Sequence, residues 1–256
     1  MIDIHSHILP GLDDGSASWE MTTEMCRQAI EDGIKHIVVT PHANDTYRYD
    51  RDRVRECVAE LDRRVGDQLS FSIGCDFHLS YDNIEDAILH PQRYTIAAKR
   101  YLLVELSDYG IAPQIGDSFF RLQSAGITPI ITHPERNAIL QRRPEQVPAW
   151  VEAGCLVQVT ASALTGYWGE TARRIAMWLL EFDAVHLIAT DAHDDKHRKP
   201  ILSEARNVVS KHFGRDDARA LFEDHPRSII AGQPLPSLGI RNRQSIKKRN
   251  GRNTKL

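Results

Sequence analysis

The chain has 256 residues, of which 41% are hydrophobic, and a formal net charge of −3. Such a chain can bury one sizeable core, which indicates one large domain. The last sixteen residues carry seven of the 32 basic residues and no acidic one, so the rest of the chain is acidic. An acidic body disfavours a broad nucleic-acid groove, which needs a basic surface.

The terminal segments, the apolar runs and the cysteines together indicate the expected cellular location. There is no basic-then-apolar leader, and no apolar run approaches the roughly 20 residues that span a bilayer. The four cysteines form no C-x-x-C pair and are typical of buried thiols. We therefore expect a cytoplasmic protein without an integral membrane segment. A domain at 1–235 would precede a basic, disordered tail at 236–256. The tail is either a solubilising or vestigial extension, or an electrostatic contact for an acidic partner or a membrane surface.

The chain opens with MIDIHSHILPGLDDGS, residues 1–16. Apolar and polar residues alternate at the start, and a Pro-Gly pair follows, which predicts a short strand that ends in a loop. His5 and His7 then point the same way and can bind one ion. Asp13 and Asp14 follow in a glycine-flanked turn and offer oxygen ligands. An isolated H-x-H pair is more often structural, so the rest of the chain has to decide.

Helical and strand patterns then alternate with a period near 30 residues. Seven strands separated by helices predict an α/β fold of parallel strands, and favour a closed or nearly closed barrel over an open doubly wound sheet. In both folds, ligands bind at the C-terminal ends of the strands. After the first strand the predicted elements are a helix to about residue 32, a strand at 34–40, a helix at 50–65, a strand at 69–75, a helix at 83–89, a strand at 101–106, a helix at 115–124, a strand at 127–132, a helix at 144–153, a strand at 155–160, a helix at 171–182, a strand at 184–190, and helices at 202–213, 216–223 and 226–231.

Residues able to bind a metal stand at six of the seven predicted strand ends, and only the sixth strand lacks one. Imidazoles mixed with carboxylates, without a thiolate, suit Mn²⁺, Fe²⁺ or Zn²⁺. Five histidines and four acids exceed what one ion needs, so we expect two or three ions that share a bridging carboxylate. The predicted ligands are His5, His7, Asp14, His42, Asp76, Glu105, His133, Asp191 and His193.

Such a cluster suits hydrolysis at phosphorus. Metals about 3.5–4 Å apart activate a water and stabilise both the attacking and the leaving oxygen of an in-line displacement. A further cation is needed for the non-bridging phosphate oxygens, and a guanidinium matches phosphate geometry. Arg136, three residues after His133, is the first candidate. Arg198 is the second, with a solvated charge in the run DDKHRK as the equal alternative.

Four motifs together resemble the polymerase and histidinol phosphatase (PHP) superfamily of metal-dependent phosphoesterases. They are D-x-H-x-H at residues 3–7, TPH ending at His42, THPERN around His133, and TDAH at residues 190–193. Within it, DIHSHILPGLDDGS with ITHPERN closely resembles the bacterial manganese-dependent tyrosine-protein phosphatases of capsule and exopolysaccharide operons. The resemblance covers roughly residues 1–235. It implies a distorted seven-stranded (β/α)7 TIM-like barrel of the PHP type with three ions, expected to be Mn²⁺, with Fe²⁺, Zn²⁺ or Co²⁺ as alternatives.

The resemblance also implies how the ligands divide among the ions. Asp76 stands where the family usually has Glu, so its carboxylate is one methylene short and the third site is expected to be weaker. Arg136, and also Arg198, would bind phosphate. The implied sets are His5, His7, Glu105 and Asp191 for the first ion; Asp14, His42 and His193 for the second; and Asp76, Glu105 and His133 for the third, with Glu105 bridging.

The resulting hypothesis is a phosphomonoesterase that hydrolyses phosphotyrosine in proteins by a metal-activated water, without a phosphoenzyme. The resemblance implies that the substrate is the tyrosine-rich tail of a membrane-associated bacterial tyrosine kinase. The alternatives are a small-molecule phosphatase such as histidinol phosphatase, a 3′–5′ exonuclease, and a non-catalytic metal-binding module. Cys57 and Arg63 match the C-x5-R spacing of cysteine-dependent phosphatases, but the segment between them is acidic, lacks glycine and is predicted to be helical, which excludes a phosphate cradle.

Overall fold

The computed structural model describes residues 1–235, except for the side chains at positions 81 and 82. The basic tail predicted at 236–256 lies outside the described residues. The described part contains nine strands. They are β1 (Ile2–Ser6), β2 (His36–Val39), β3 (His42–Ala43), β4 (Ser70–Ile73), β5 (Asp76–His78), β6 (Tyr101–Glu105), β7 (Thr128–Thr132), β8 (Leu156–Thr160) and β9 (Leu187–Ala189).

At least one helix lies in sequence between any two strands that pair with each other, as parallel pairing requires. The described residues also contain short 3₁₀ helices at Gly66–Gln68, Ile96–Ala98 and Leu140–Arg142, and one π-helical turn at Ala220–Asp224. The α-helices are α1 (Trp19–Glu31), α2 (Arg51–Val65), α3 (Tyr81–Leu89), α4 (Pro91–Tyr94), α5 (Ile115–Ser124), α6 (Gln146–Glu152), α7 (Ala161–Leu164), α8 (Gly169–Glu181), α9 (Ser203–Phe213), α10 (Arg215–Arg219) and α11 (His225–Ala231).

All paired strands run parallel, which confirms the predicted α/β class. They form a three-stranded sheet in the order β1–β2–β4 and a six-stranded sheet in the order β3–β5–β6–β7–β8–β9. The two sheets meet where the segment after β9 lies beside β1: the Asp191 amide donates to the His5 carbonyl at 2.9 Å, and the His7 amide donates to the Ala192 carbonyl at 2.8 Å. A single closed seven-stranded barrel is not confirmed by the pairing seen in residues 1–235.

Two of the predicted strands are shorter in the structure, and each is followed by a second short strand. The strand predicted at 34–40 ends before Pro41, and β3 begins at His42; the strand predicted at 69–75 ends before Gly74, and β5 begins at Asp76. Proline has no amide hydrogen for the ladder. Gly74 packs so closely that a Cβ there would lie 3.0 Å from Val38 Cγ1. His42 and Asp76 come shortly after the ends of β2 and β4, as predicted, and in addition they begin short strands that pair with each other in the second sheet.

The strands carry apolar side chains on both faces, as parallel strands covered on both sides do. Ile4, Val38, Leu103, Ile130 and Leu187 are buried together in one cluster. Their neighbours along the strands belong to a larger cluster that includes the apolar faces of the helices. Because both faces are packed, the strand ends are rigid supports for the residues that follow them. Within the described residues, no helix has the length and apolar character needed to cross a membrane.

Candidate metal centre

The nine predicted ligands converge at one edge of the strands. His5 belongs to β1, and Glu105 is the last residue of β6. His133 directly follows β7, and Asp191 is the second residue after β9. His133 and Asp191 have φ of 34° and 51°, a left-handed conformation that is costly for residues other than glycine. Their amides are held by carbonyls of neighbouring strands: His133 donates to Gln158 at 2.8 Å and Asp191 to His5. The sheet thus holds two strained turns that aim side chains into the cluster.

Three groups of side chains each place one possible ligand atom per residue within 4.8 Å of the others. His7 belongs to two groups, and so do His42 and Asp76, which is how neighbouring ions would share ligands. These groups differ from the sets implied by the resemblance, in which His7 accompanies Asp191 and Asp76 accompanies His133. The groups are His7, Asp14, His42 and His193; His5, His7 and Asp76; and His42, Asp76 and Glu105.

The first two histidines face each other through their Nε2 atoms, 3.1 Å apart. His7 Nδ1 lies 2.7 Å from Asp13 Oδ2, and His5 Nδ1 lies 3.0 Å from Gln158 Oε1. Both Nδ1 atoms therefore act as donors, so in the neutral rings both Nε2 atoms present lone pairs. Two lone pairs at this distance require a cation or a proton between them. Without an ion, burial lowers the pKa of His7, but Asp13 and Asp191 outweigh it and raise the pKa to about 9.

Asp76 gives the strongest indication that the cluster binds a cation. Its side chain is fully buried, and neither carboxylate oxygen makes a hydrogen bond to any described residue. His42 Nδ1 is likewise buried without a hydrogen bond, although it lies 3.2 Å from Asp76 Oδ2. Burial opposes ionisation of Asp76, but His5 and His42 hold its pKa well below the usual range. A buried, ionised carboxylate without a donor fits a divalent cation, so the donor set matches the predicted metals.

Glu105 spans the space between two histidines. Its Oε2 lies 3.5 Å from His42 Nδ1, and its Oε1 lies 3.7 Å from His133 Nε2. Burial and the nearby Asp76 raise the pKa of Glu105 to about 7. Burial, assisted by Arg136, holds the pKa of His133 well below its ordinary value. The imidazole is therefore neutral and can offer a nitrogen lone pair to a metal ion. This geometry suits the predicted bridging role of Glu105.

The GLDDGS loop packs directly against His7. Asp13 Oδ2 accepts hydrogen bonds from His7 Nδ1 and from the His42 amide at 3.0 Å, and its Oδ1 accepts one from the Gly15 amide at 2.9 Å. Asp14 Oδ1 lies 3.3 Å from His42 Nε2 and 3.6 Å from His193 Nε2. Asp13 therefore orients two histidines, while Asp14 reaches the outer side of the cluster.

The two predicted arginines lie at the edge of the cluster and share one partner. Arg136 and Arg198 both donate to Asp191 Oδ2, whose other oxygen lies 3.4 Å from Nε2 of both His5 and His7. The side chains of the arginines are only 17% and 22% exposed, so Arg198 is no solvated surface charge. The Nε–H group of each is buried without a hydrogen bond to any described residue. Donors remain there for an anion beside the ligands.

Comparison with known proteins identifies the family to which this arrangement belongs. The model of the family described as capsular polysaccharide synthesis, CpsB/CapC, matches residues 1–231. The chain belongs to the CpsB/CapC family. Tyrosine-protein phosphatase YwqE of Bacillus subtilis is 32% identical over 228 residues, which cover 88% of this chain and 89% of YwqE. Tyrosine-protein phosphatase CpsB of Streptococcus pneumoniae is 30% identical over 242 residues, which cover 91% of this chain and 99% of CpsB.

Solved structures agree. A structure described in a crystallographic study of YwqE and CpsB as unique metal-dependent tyrosine phosphatases superposes with a TM-score of 0.85 at 30% identity, over 92% of this chain and 96% of the other. A phosphotriesterase homology protein from Escherichia coli, solved with phosphate in its active site, has a TM-score of 0.60 at 9% identity, over 90% of this chain and 98% of the other. The second likeness shows a shared fold alone.

Two contacts of this CpsB/CapC chain escaped the sequence analysis. Gln158 lies on β8, whose end carries no metal ligand, and it orients His5. Trp168 follows in the loop after the same strand, and Arg136 Cζ lies 3.8 Å from the centroid of its ring. The only sequence signal was an aromatic pair between two glycines, in the segment GYWG. Because no metal ligand was predicted at the end of β8, no functional residue was predicted in the segment that follows this strand.

Cys57 and Arg63, which the sequence analysis set aside, and two further histidines belong to none of the three ligand groups. Cys57 and Arg63 belong to α2, where Cys57 is buried and Arg63 pairs with Glu60, so the C-x5-R match is not a phosphate cradle. His78 is part of β5 and belongs to none of the three ligand groups in the described residues. His36 contacts two serines of β4.

Proposed function

We propose that this chain is a metal-dependent protein-tyrosine phosphatase, a hydrolase that cleaves the phosphomonoester of phosphotyrosine. One observation carries the proposal: Asp191 lies between a candidate cation site and a candidate anion site. Its Oδ1 faces histidines, and its Oδ2 accepts from two arginines. The Nε–H group of each arginine has no hydrogen-bond partner among the described residues. The names of YwqE and CpsB and the 30% identity to a metal-dependent tyrosine phosphatase over almost the whole chain support it. The relatives do not favour a small-molecule phosphatase.

The nine ligands, His5, His7, Asp14, His42, Asp76, Glu105, His133, Asp191 and His193, would hold three divalent ions, for which we propose Mn²⁺. When bound, such ions polarise phosphoryl oxygens, lower the pKa of water and stabilise the charge of an in-line displacement. Histidine and carboxylate donors without thiolates support this choice of metal. The partition of the ligands among the ions, and the seven-stranded barrel that the two sheets would form together, are part of the same proposal.

The side chains have distinct tasks in this reaction. Arg136 and Arg198 bind the non-bridging phosphate oxygens and hold the phosphorus beside the ligands. Asp13 keeps His7 in the tautomer that presents Nε2 to the cluster. A tyrosine leaving group has a pKa of about 10, so it departs without a strong general acid. No side chain has to become phosphorylated.

We also propose the setting of the reaction. The substrate would be the tyrosine-rich tail of a membrane-associated bacterial tyrosine kinase, since a flexible tail can enter a site at the exposed edge of the strands. The match to a capsular polysaccharide synthesis family supports this partner. The four cysteines are free and buried, in keeping with a cytoplasmic location.

The first experiment compares substrates. Metal-stripped protein refilled with Mn²⁺ is assayed on a phosphotyrosyl peptide, on the same peptide with phosphoserine, and on histidinol phosphate. We expect the highest kcat/KM on phosphotyrosine. A preference for histidinol phosphate would replace the substrate and keep the cluster, whereas inactivity on all three with any divalent metal would leave a non-catalytic module.

The second experiment tests the ligands. His5→Ala should abolish turnover and lower the metal content per chain, because His5 is buried and faces both Asp76 and Asp191. His212→Ala, at an exposed position of α9, is the matched control and should change neither quantity. Near-normal activity and metal content of His5→Ala would remove His5 from the ligand set.

A further inference from the structure

Trp168 is the one aromatic side chain in contact with both arginines of the site among residues 1–235. Arg136 Cζ lies 3.8 Å from the centroid of its ring, and Arg198 Cζ lies 5.4 Å away. Both distances fall within the range of attractive contacts between a cation and an aromatic ring. The ring therefore contacts both of the side chains that are predicted to bind phosphate.

The loop that carries Trp168 holds the ring in place. The indole Nε1 donates to Ser162 Oγ at 2.9 Å, and the amide of Tyr167 donates to the Ser162 carbonyl at 3.0 Å. Gly166 and Gly169 on either side have φ of 94° and 84°, a conformation that glycine adopts without strain. The turn between α7 and α8 is thus built around a fixed ring.

The physical advantage of an aromatic partner lies in the geometry of the guanidinium group. Its N–H donors point outward in its plane, and a ring against its face stabilises the charge without using them. A carboxylate partner occupies these donors instead. Asp191 already takes one donor from each arginine. A second carboxylate would compete with phosphate, whereas Trp168 holds the group and leaves its edge available.

We propose that Trp168 is a positioning residue that holds Arg136, and through a longer contact Arg198, with their donors directed at the phosphate of the substrate. This inference rests on the proposed phosphatase function. It also accounts for the loop after β8, whose strand supplies no metal ligand. The binding of inorganic phosphate should depend on Trp168 in the same way, because its oxygens resemble the non-bridging oxygens of the substrate.

The test compares Trp168→Ala, Trp168→Leu and Trp168→Phe in the Mn²⁺-loaded protein. Trp178→Leu on α8, whose ring packs against Phe182, is the matched control. We expect Trp168→Ala and Trp168→Leu to bind inorganic phosphate about tenfold more weakly and to raise KM by a similar factor, with metal content kept. Trp168→Phe should restore most of the affinity, because it retains an aromatic face.

Three results would overturn the proposal. Full affinity in Trp168→Leu would show that only bulk matters, and unchanged phosphate inhibition with a raised KM for phosphotyrosine would make Trp168 a contact of the substrate ring. Additive effects of Trp168→Ala and Arg136→Lys would show that the two residues do not act together. If the wild-type protein binds inorganic phosphate but hydrolyses no phosphotyrosine, the proposed function fails, and the phosphate affinities of the variants still decide the role of Trp168.

Discussion

Gly15→Ala probes how the GLDDGS loop seats on the metal centre. A Cβ at position 15 would lie 2.1 Å from the carbonyl oxygen of His7 and 2.5 Å from the Cβ of His7, where real Cβ atoms essentially never come within 3.0 Å. His7 cannot retreat, because its amide donates to the Ala192 carbonyl at 2.8 Å and its ring is held by Asp13. The loop itself must therefore move away by roughly 1 Å, since close-packed interiors transmit such strain.

That movement has two expected costs. It breaks the hydrogen bond from the Ser16 amide to the His7 carbonyl, 3.0 Å long, which is worth about 0.5–1.5 kcal/mol of unfolding free energy. It also displaces Asp13 and Asp14 from the histidines they contact. A misplacement of this size lowers activity by about 10²-fold, so we expect a loss of that order in kcat/KM. At least part of the bound metal should be lost as well.

The assay measures kcat/KM on a phosphotyrosyl peptide, metal per chain by elemental analysis, and Tm. Gly11→Ala is the control in the same loop: φ is 66°, but nothing lies within 4 Å of the added Cβ. Its left-handed backbone should cost roughly 1–2 kcal/mol of stability, while metal content and activity stay close to the wild type. Normal activity and metal content of Gly15→Ala would refute the argument that this loop is locked against His7.

Three further predictions follow from single contacts. Arg136→Ala should lower kcat/KM by about 10²–10³-fold at unchanged metal content, and loss of metal would assign it a structural role instead. Asp13→Asn should weaken metal binding or activity by about 10–100-fold, and metal titration with unchanged affinity would contradict this. His186 accepts a hydrogen bond from the Val157 amide, and burial lowers its pKa to about 4. Its unfolded pKa is about 6.5, so the protein should lose stability as the pH falls through that interval. In chemical denaturation, His186→Asn should show a shallower loss over the same interval, and an equal loss would exclude His186 as the cause.

The clustering of the predicted ligands could be expected from the sequence because their placement follows from local pattern and topology. Short β-branched segments followed by His or acidic residues recur along the chain, and parallel strands bring their C-terminal ends to one edge. His5, Glu105 and His133 could thus be grouped before any contact was known. The helix at 115–124 was also predicted with its observed bounds, since its apolar periodicity and the glycine after it are local signals.

The sequence could not indicate where the strands change sheets. Pro41 is a visible break, but whether the chain resumes in the same sheet depends on which neighbour offers a free edge. Gly74 is small because Val38 lies against it, a contact between distant parts of the chain. Asp76 follows β4, as predicted, but the sequence did not indicate that it also begins β5 opposite His42 in the second sheet.

The tertiary structure alone decided the finer arrangement of the site. Which ligands can share an ion depends on small differences in the distances between side-chain atoms, and these distances are set by packing. The contact of Trp168 with Arg136 joins two loops that have no periodic pattern, so no sequence signal encodes it. Residue types and strand order determined that histidines and carboxylates able to hold metal ions cluster in this chain. Its internal geometry followed from the close packing of loops that only the folded protein brings together.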